Sequence, residues 1–224
     1  MNQLTLRIIQ QYNGKYFPFS QNDYIVKNKW GHADPTKRRG AWTGNSYDNK
    51  GNVTSYGFEG GCCYGLAAAY LVYGSCWDKF IHTINSPRGQ GLVRGVMNLQ
   101  EQLSKLSQMS QNIEVFKTIL SANAVKFKNE YPSMFSSTPE KMASNLISIL
   151  KNNNNYHLNI KGSTSAHSLS LRLENNTFKL FDPNYGYFQF QWIEGQNQAI
   201  ETFLTHYFNE YYKSYFTLVA QQFS

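Results

Sequence analysis

At residues 60–70 the sequence is Gly60-Gly61-Cys62-Cys63-Tyr64-Gly65-Leu66-Ala67-Ala68-Ala69-Tyr70. The paired glycines predict a turn, because glycine adopts backbone angles that other residues avoid. The apolar run that follows predicts a helix over residues 63–74 with Gly74 as its C-cap. Cys63 is therefore expected on the first helical turn, where unpaired N–H groups stabilise a thiolate. Such a cysteine is either a nucleophile or a small core residue, as most free cysteines are.

The composition favours one globular domain. The chain has 224 residues, of which 41% are hydrophobic and 16% aromatic, enough for a sizeable core. We expect a single domain over residues 1–224, with a loop-rich N-terminal part at 1–55, a core at 56–192 and a C-terminal helix and strand at 193–224.

The charge balance is basic, with a formal net charge of +7. A basic surface is compatible with an acidic or membrane-proximal partner. The densest basic group is only Lys37-Arg38-Arg39, which is also typical of a solvated loop. Because no long Lys/Arg run is present, we do not expect nucleic-acid binding.

The cysteines and the N-terminal residues indicate which further classes of protein are not expected. Three cysteines, two of them adjacent, argue against a disulfide framework and favour reducing surroundings. No Cys/His spacing resembles a zinc site, so no metal or other cofactor is expected. The first residues lack the pattern of a Sec signal peptide, and no stretch approaches the ~20 apolar residues of a membrane span.

The pattern along the chain predicts helices followed by strands. Residues 4–10 resemble a short strand, and the segment up to residue 56 is rich in turn formers. Residues 92–151 have helical periodicity, with Thr138 as an N-cap before Pro139. After Asn155 the period changes to two, which predicts strands at 156–160, 166–174, 177–181, 186–192 and 213–219 around a helix at 196–211. This order indicates an α+β fold in which the helix bearing Cys63 packs on an antiparallel sheet.

Among the five histidines, His167 has a suitably placed acid. A hairpin turning at Asn175-Asn176 would pair Asp182 with Leu169. Since side chains alternate along a strand, Asp182 and His167 would then share one face as diagonal neighbours, ~7–8 Å apart at the backbone. The carboxylate could orient the imidazole toward Cys63.

A structural explanation of the same residues is also open. Leucines and phenylalanines line the face that carries His167, so this histidine could be a satisfied residue at the edge of the core. The segment Asp182-Pro183-Asn184-Tyr185-Gly186 is also an ordinary turn sequence.

Three motifs together resemble the YopT-type papain-like cysteine proteases, a family that includes YopT and AvrPphB. They are Gly61-Cys62-Cys63-Tyr64-Gly65-Leu66, Ala166-His167-Ser168-Leu169 and Phe181-Asp182-Pro183-Asn184-Tyr185-Gly186. The resemblance spans residues 55–192 and favours Cys63 over Cys62 as the nucleophile. It implies a papain-like core and a bacterial thiol protease that a specialised secretion system delivers into the host cytosol, where it cleaves a host protein.

The resemblance also implies roles for individual residues. Cys63 would attack the substrate carbonyl, His167 would protonate the leaving group, and Asp182 would hold the imidazole. The oxyanion would be held by the Cys63 N–H and an upstream polar side chain. Papain-like enzymes place a glutamine or asparagine several residues before the cysteine, but residues 53–62 contain neither, so Asn52 and Ser55 are the nearest candidates.

Two other functions remain open at this stage. The same triad could deamidate glutamine or transfer an acyl group in a transglutaminase-like reaction, since all three reactions share an acyl–enzyme. Alternatively, the chain could be a non-catalytic binding module on the same fold. Mass spectrometry of a partner protein separates cleavage from a gain of ~1 Da or a cross-link.

Overall fold

A computed structural model describes most of the chain. The described residues are 1–28, 30, 32–33, 42–43, 46–47, 53–55, 62–105, 109–135, 138–163, 165–193, 195 and 197–224. The predicted glycine turn at residues 60–61, the basic group at 37–39 and Asn52 lie outside these ranges. Of Ser55, only the place in a short strand is described.

Eight helices and eleven strands occur in the described ranges. The helices are α1 (Gln3–Gln11), α2 (Gln21–Lys27), α3 (Cys63–Tyr73), α4 (Trp77–Ile84), α5 (Pro87–Lys105), α6 (Met109–Ala122), α7 (Pro139–Ile149) and α8 (Gln198–Tyr211). The strands are β1 (Lys15–Pro18), β2 (His32–Ala33), β3 (Trp42–Thr43), β4 (Ser46–Tyr47), β5 (Val53–Ser55), β6 (Phe127–Phe135), β7 (Asn154–Gly162), β8 (Ala166–Glu174), β9 (Thr177–Asp182), β10 (Gly186–Gln191) and β11 (Tyr215–Phe223). None of the helices within these ranges is long and apolar enough to span a membrane.

A seven-stranded antiparallel sheet lies at the centre, in the order β1-β10-β9-β8-β7-β11-β6. Apolar side chains cover both of its faces. On one face, α7 and α8 pack against the leucines of β8, and on the other a second cluster joins the sheet to α2–α6. The fold is therefore α+β, with the helix that begins at Cys63 packed on the antiparallel sheet.

Polar side chains of β8 fasten α3 to the sheet. The Ser170 hydroxyl donates to the carbonyl of Ala67 at 2.8 Å, and the Arg172 guanidinium donates to the carbonyl of Leu71 at 3.0 Å. Ser170 is fully buried, so its hydrogen bond is needed to offset the loss of water. These contacts fix the direction of α3 and hence the position of its first residue, Cys63.

Several sequence predictions about the secondary structure are confirmed. The hairpin turns at Asn175 and Asn176, both with positive φ, and Ser170 pairs with Phe181 as the predicted register requires. Helix α3 ends at the predicted C-cap, Gly74. Thr138 caps α7, accepting a hydrogen bond from a main-chain N–H of its first turn.

The predicted strand at residues 4–10 is wrong, because this segment is helix α1. The side chain of Asn2 accepts the N–H of Thr5 at 2.8 Å and so caps the helix. The buried residues are Thr5 and Ile9, four positions apart, whereas Leu4 is exposed. The helical period thus prevails over the alternation that suggested a strand.

The loop-rich assignment of the N-terminal part is also wrong where the structure describes it. Strand β1 pairs with β10 at the edge of the central sheet, and α2 begins at Gln21 with Ser20 as its N-cap. The side chain of Ser20 accepts the N–H of Asp23, as helix N-caps commonly do. Residues 15–27 therefore belong to the body of the fold.

The helical assignment of residues 92–151 fails at β6, which pairs with β11 at the other edge of the sheet. Residues Tyr131 and Pro132 lie within this strand. An edge strand tolerates proline, because one side of the strand forms no ladder hydrogen bonds. Helix α5 also begins earlier than the predicted helical region, at Pro87 rather than at residue 92.

Close packing of α3 against α5 predicts that Gly65→Ala destabilises the protein. A Cβ atom at Gly65 would lie 2.5 Å from the main-chain oxygen of Val93, too close for the two helices to remain in place. We expect the free energy of unfolding to fall by about 2 kcal/mol, because overpacking outweighs the gain of about 1 kcal/mol that alanine brings to a helix. Urea denaturation at pH 7 measures the change.

Gly95→Ala in α5 is the matched control, since a Cβ there meets no described atom within 4 Å. This variant should be stabilised by up to about 1 kcal/mol. Equal effects of the two substitutions would show that the α3–α5 contact is looser than the structure indicates.

Candidate active site

Cys63 is the first residue of α3. Cys62, which precedes the helix, is fully buried in the apolar cluster, whereas Cys63 is only partly buried. The first N–H groups of a helix have no acceptor within it, and they carry a partial positive charge. The structure therefore places the Cys63 thiol and its own N–H at the electropositive end of α3.

His167 and Asp182 form a buried pair next to this helix end. The imidazole Nε2 of His167 lies 2.9 Å from Oδ1 of Asp182, and the side chains are 4% and 0% exposed. Both belong to the sheet, one near the beginning of β8 and the other at the end of β9. The Nε2 contact with Asp182 leaves Nδ1 of His167 as the ring atom that can serve Cys63.

Asp182 is held by several donors in addition to the imidazole. The main-chain N–H of Asn184 donates to its Oδ1 at 2.7 Å. The hydroxyls of Tyr207 in α8 and Tyr212, just after α8, donate to its Oδ2 at 2.6 and 2.5 Å. A buried carboxylate requires such donors, because it has no access to water.

The two tyrosines remain protonated under ordinary conditions. Burial, and then the negative charge of Asp182, raise the pKa of Tyr207 and that of Tyr212 well above the usual value. The ring of Tyr212 also stacks on the imidazole of His167, with centroids 5.5 Å apart. Tyr212 thus contacts both members of the buried pair.

Cys63 and His167 interact directly. Burial raises the pKa of the Cys63 thiol, but the charge and hydrogen bond of His167 and the N–H of Ser168 lower it by more, so the pKa lies below its ordinary value. Burial would lower the pKa of His167, but Asp182 and the Cys63 thiolate together raise it to about 10. Both shifts favour a thiolate–imidazolium pair at neutral pH.

Gln21, the first residue of α2, lies beside this group and was missed by the sequence analysis. Its side-chain oxygen accepts the N–H of Cys62 at 2.8 Å, and its side-chain amide donates to Asn184 Oδ1. Gln21 is 7% exposed. No local pattern connects residue 21 with residue 62, so only tertiary structure could reveal the contact.

The structure therefore brings together Cys63, His167 and Asp182 as the sequence suggested. It adds Gln21 on one side and the tyrosines Tyr207 and Tyr212 on the other. These additions come from the N-terminal and C-terminal parts of the chain, outside the expected core at 56–192. An arrangement of this kind can perform nucleophilic attack on a carbonyl group.

Comparison with protein-family models identifies the chain. The model of the peptidase C58 family, described as Yersinia/Haemophilus virulence surface antigen, matches residues 8–224. The chain belongs to the peptidase C58 family. It is a cysteine peptidase of the YopT type, and as a member of this family it is a virulence effector.

A solved structure agrees with the fold of this C58 peptidase. The crystal structure of the Pseudomonas avirulence protein AvrPphB matches with a TM-score of 0.60 and 14% sequence identity, over 73% of this chain and 91% of that one. At this identity the likeness concerns the fold. No curated protein sequence matches the chain.

Proposed function

We propose that Cys63, His167 and Asp182 are the catalytic triad of this cysteine peptidase. The observation that carries the proposal is the buried, hydrogen-bonded His167–Asp182 pair beside Cys63, the first residue of α3, where the interaction of Cys63 with His167 lowers the Cys63 pKa and raises the His167 pKa. In this proposal Cys63 is the nucleophile, His167 is the acid–base catalyst, and Asp182 orients the imidazole.

The proposed reaction uses these groups in two stages. The Cys63 thiolate attacks the scissile carbonyl carbon, a sulfur–carbon bond forms, and the carbonyl oxygen becomes an oxyanion. As the carbon–nitrogen bond breaks, the imidazolium of His167 gives its proton to the leaving amine. His167 then takes a proton from a water molecule, whose oxygen bonds to the thioester carbon; the carbon–sulfur bond breaks, which releases the carboxyl product and restores the Cys63 thiolate and the His167 imidazolium.

We propose Gln21 as the side-chain donor to the oxyanion. The contact between its side-chain oxygen and the Cys62 N–H places the Gln21 amide next to the nucleophile, so the amide can act with the Cys63 N–H. The earlier candidates, Asn52 and Ser55, have no described side-chain position. A donor in α2 accounts for the lack of an asparagine or glutamine immediately before the cysteine.

The substrate class follows from the family. A virulence effector with peptidase activity acts on a host protein, and we propose that a specialised secretion system delivers this chain into the host cytosol. The net charge of +7 suits an acidic or membrane-proximal substrate.

The alkylation of Cys63 by iodoacetamide tests the triad without knowledge of the substrate. In the wild type we expect rapid labelling that is nearly constant between pH 6 and 8, because the thiolate is already formed. In His167→Ala we expect labelling at pH 6 to be about tenfold slower and to rise with pH toward the ordinary thiol pKa of about 8.5. Mass spectrometry locates the modified cysteine.

Cys76, an exposed thiol in the same molecule, is the internal control. Its labelling should be identical in the two proteins at every pH. A wild-type Cys63 whose rate rises with pH toward the ordinary thiol pKa of about 8.5, and that does not respond to His167→Ala, would contradict the proposed triad.

A further inference from the structure

Asn184 occupies an unusual position in the site. It lies in the turn between β9 and β10, two residues after Asp182, and its side chain is exposed. Its main-chain N–H donates to Asp182, and its side-chain oxygen accepts a hydrogen bond from the Gln21 amide. One residue thus contacts both the proposed acid and the proposed oxyanion donor.

The turn holds Gln21 at two points. The main-chain N–H of Gln21 donates to the carbonyl of Pro183 at 2.6 Å, and the side-chain amide donates to Asn184. A glutamine side chain has several rotatable bonds and loses conformational entropy when it is fixed, so a second anchor matters for its position. Because the amide nitrogen carries two hydrogens, the one that Asn184 does not bind can serve an oxyanion.

We propose that Asn184 is a positioning residue that holds the Gln21 amide at the oxyanion site. The inference rests on the proposed function, since it requires Cys63 to be the nucleophile and Gln21 an oxyanion donor. Asn184 does not itself contact the reacting atoms. It acts through Gln21, and it joins this donor to the turn that carries Asp182.

Two reactions of Cys63 separate this role from a role in the triad. Alkylation by iodoacetamide forms a sulfur–carbon bond with loss of iodide and generates no oxyanion. Acylation by p-nitrophenyl acetate proceeds through a tetrahedral intermediate with an oxyanion, forms a thioester, and releases p-nitrophenolate. A residue that acts only through the oxyanion donor should therefore affect acylation and leave alkylation unchanged.

We expect Asn184→Ala to slow acylation about tenfold, with the alkylation rate and its pH profile within twofold of the wild type. Gln21→Ala should slow acylation about 100-fold, in the range found when one oxyanion donor is removed. Asn184→Asp keeps an acceptor for the Gln21 amide and should restore acylation to within about threefold. The backbone of Asn184 is not among the positions with positive φ, so these side chains fit it.

A double-mutant cycle decides whether Asn184 acts through Gln21. If it does, Gln21→Ala/Asn184→Ala should be no slower in acylation than Gln21→Ala alone. Asn209→Ala, at an exposed asparagine of α8, is the control and should behave as the wild type. Thermal unfolding of each variant verifies that the folded protein is being assayed.

Several results would overturn the proposal. They are wild-type acylation in Asn184→Ala, additive effects in the cycle, or equal losses in acylation and alkylation, which would place Asn184 in the triad instead. Failure of the proposed function has a different signature, since the wild-type Cys63 would then show neither rapid alkylation at low pH nor acylation.

Discussion

Asp182→Ala is expected to lower the free energy of unfolding by about 3–5 kcal/mol, the cost of removing one partner from a buried charged pair. The substitution leaves the imidazolium of His167 without its counter-ion and the hydroxyls of Tyr207 and Tyr212 without their acceptor. Both tyrosines and His167 are almost completely buried, so water cannot replace the carboxylate. Urea denaturation at pH 7, followed by tyrosine and tryptophan fluorescence, measures the loss.

Asp182→Asn is the matched comparison. Its amide oxygen can still accept from the imidazole, and its NH₂ group can donate to the tyrosine hydroxyls, which can act as acceptors. We therefore expect Asp182→Asn to be at least about 2 kcal/mol more stable than Asp182→Ala, since a hydrogen bond to a buried group is costly to leave unmade. Equal losses in the two variants would mean that the negative charge, rather than the set of hydrogen bonds, provides the stability.

The centre of the site could be predicted because short-range patterns determine it. The Asn175-Asn176 turn fixes the register of β8 and β9, and the alternation of side chains then places His167 and Asp182 on one face. The beginning of α3 was predictable from a run of small apolar residues after Cys63. Each of these inferences requires only the nearest neighbours along the chain or across one hairpin.

The surrounding donors could not be predicted in this way. Gln21 reaches Cys62 from α2, and Tyr207 and Tyr212 reach Asp182 from the other end of the chain. These contacts exist only after the sheet has assembled with helices on both faces. Sequence spacing carries no information about such contacts, because neither partner leaves a local pattern.

The errors in secondary structure have a related cause. In α1, the alternating leucines suggested a strand, and the cap at Asn2 and the burial of Ile9 against the core decided for a helix. In β6, the edge position of the strand allowed a proline, Pro132, within a segment that was predicted to be helical. In both cases the tertiary environment selected between two structures that the local sequence permits.

His157 provides the second prediction of large effect, a loss of stability in acid. This histidine of β7 is 2% exposed and stacks on Phe116, with centroids 4.2 Å apart. Its Nδ1 lies 3.2 Å from the side-chain oxygen of Gln221, and its Nε2 has no hydrogen-bond partner among the described residues. Burial lowers the pKa of His157 from 6.5 to about 4, although the hydrogen bond with Gln221 partly opposes the shift.

The unfolded chain therefore takes up a proton at this histidine near pH 6.5, whereas the folded protein does so only near pH 4. The folded state loses stability as the pH falls through this interval, and above pH 7 the group has no effect. Between pH 7.5 and 4.5 we expect His157 to account for a loss of about 2.5 kcal/mol in the free energy of unfolding. Urea denaturation at both pH values measures this loss.

The variant His157→Phe isolates the contribution of this histidine, because it keeps an aromatic ring against Phe116 and removes the titration. Its stability should decline by about 2.5 kcal/mol less than that of the wild type over the same interval. His82→Gln is the control, since His82 is exposed on α4.

The charged group nearest to His157 along its hydrogen bonds is Glu130. Its carboxylate accepts a hydrogen bond from the side-chain amide of Gln221 at 3.0 Å, and Glu130→Gln tests whether this carboxylate contributes to the loss of stability in acid. If His157→Phe and the wild type lost equal stability in acid, the proton uptake would belong to other groups, and the buried imidazole would have to be accessible to water in the folded state.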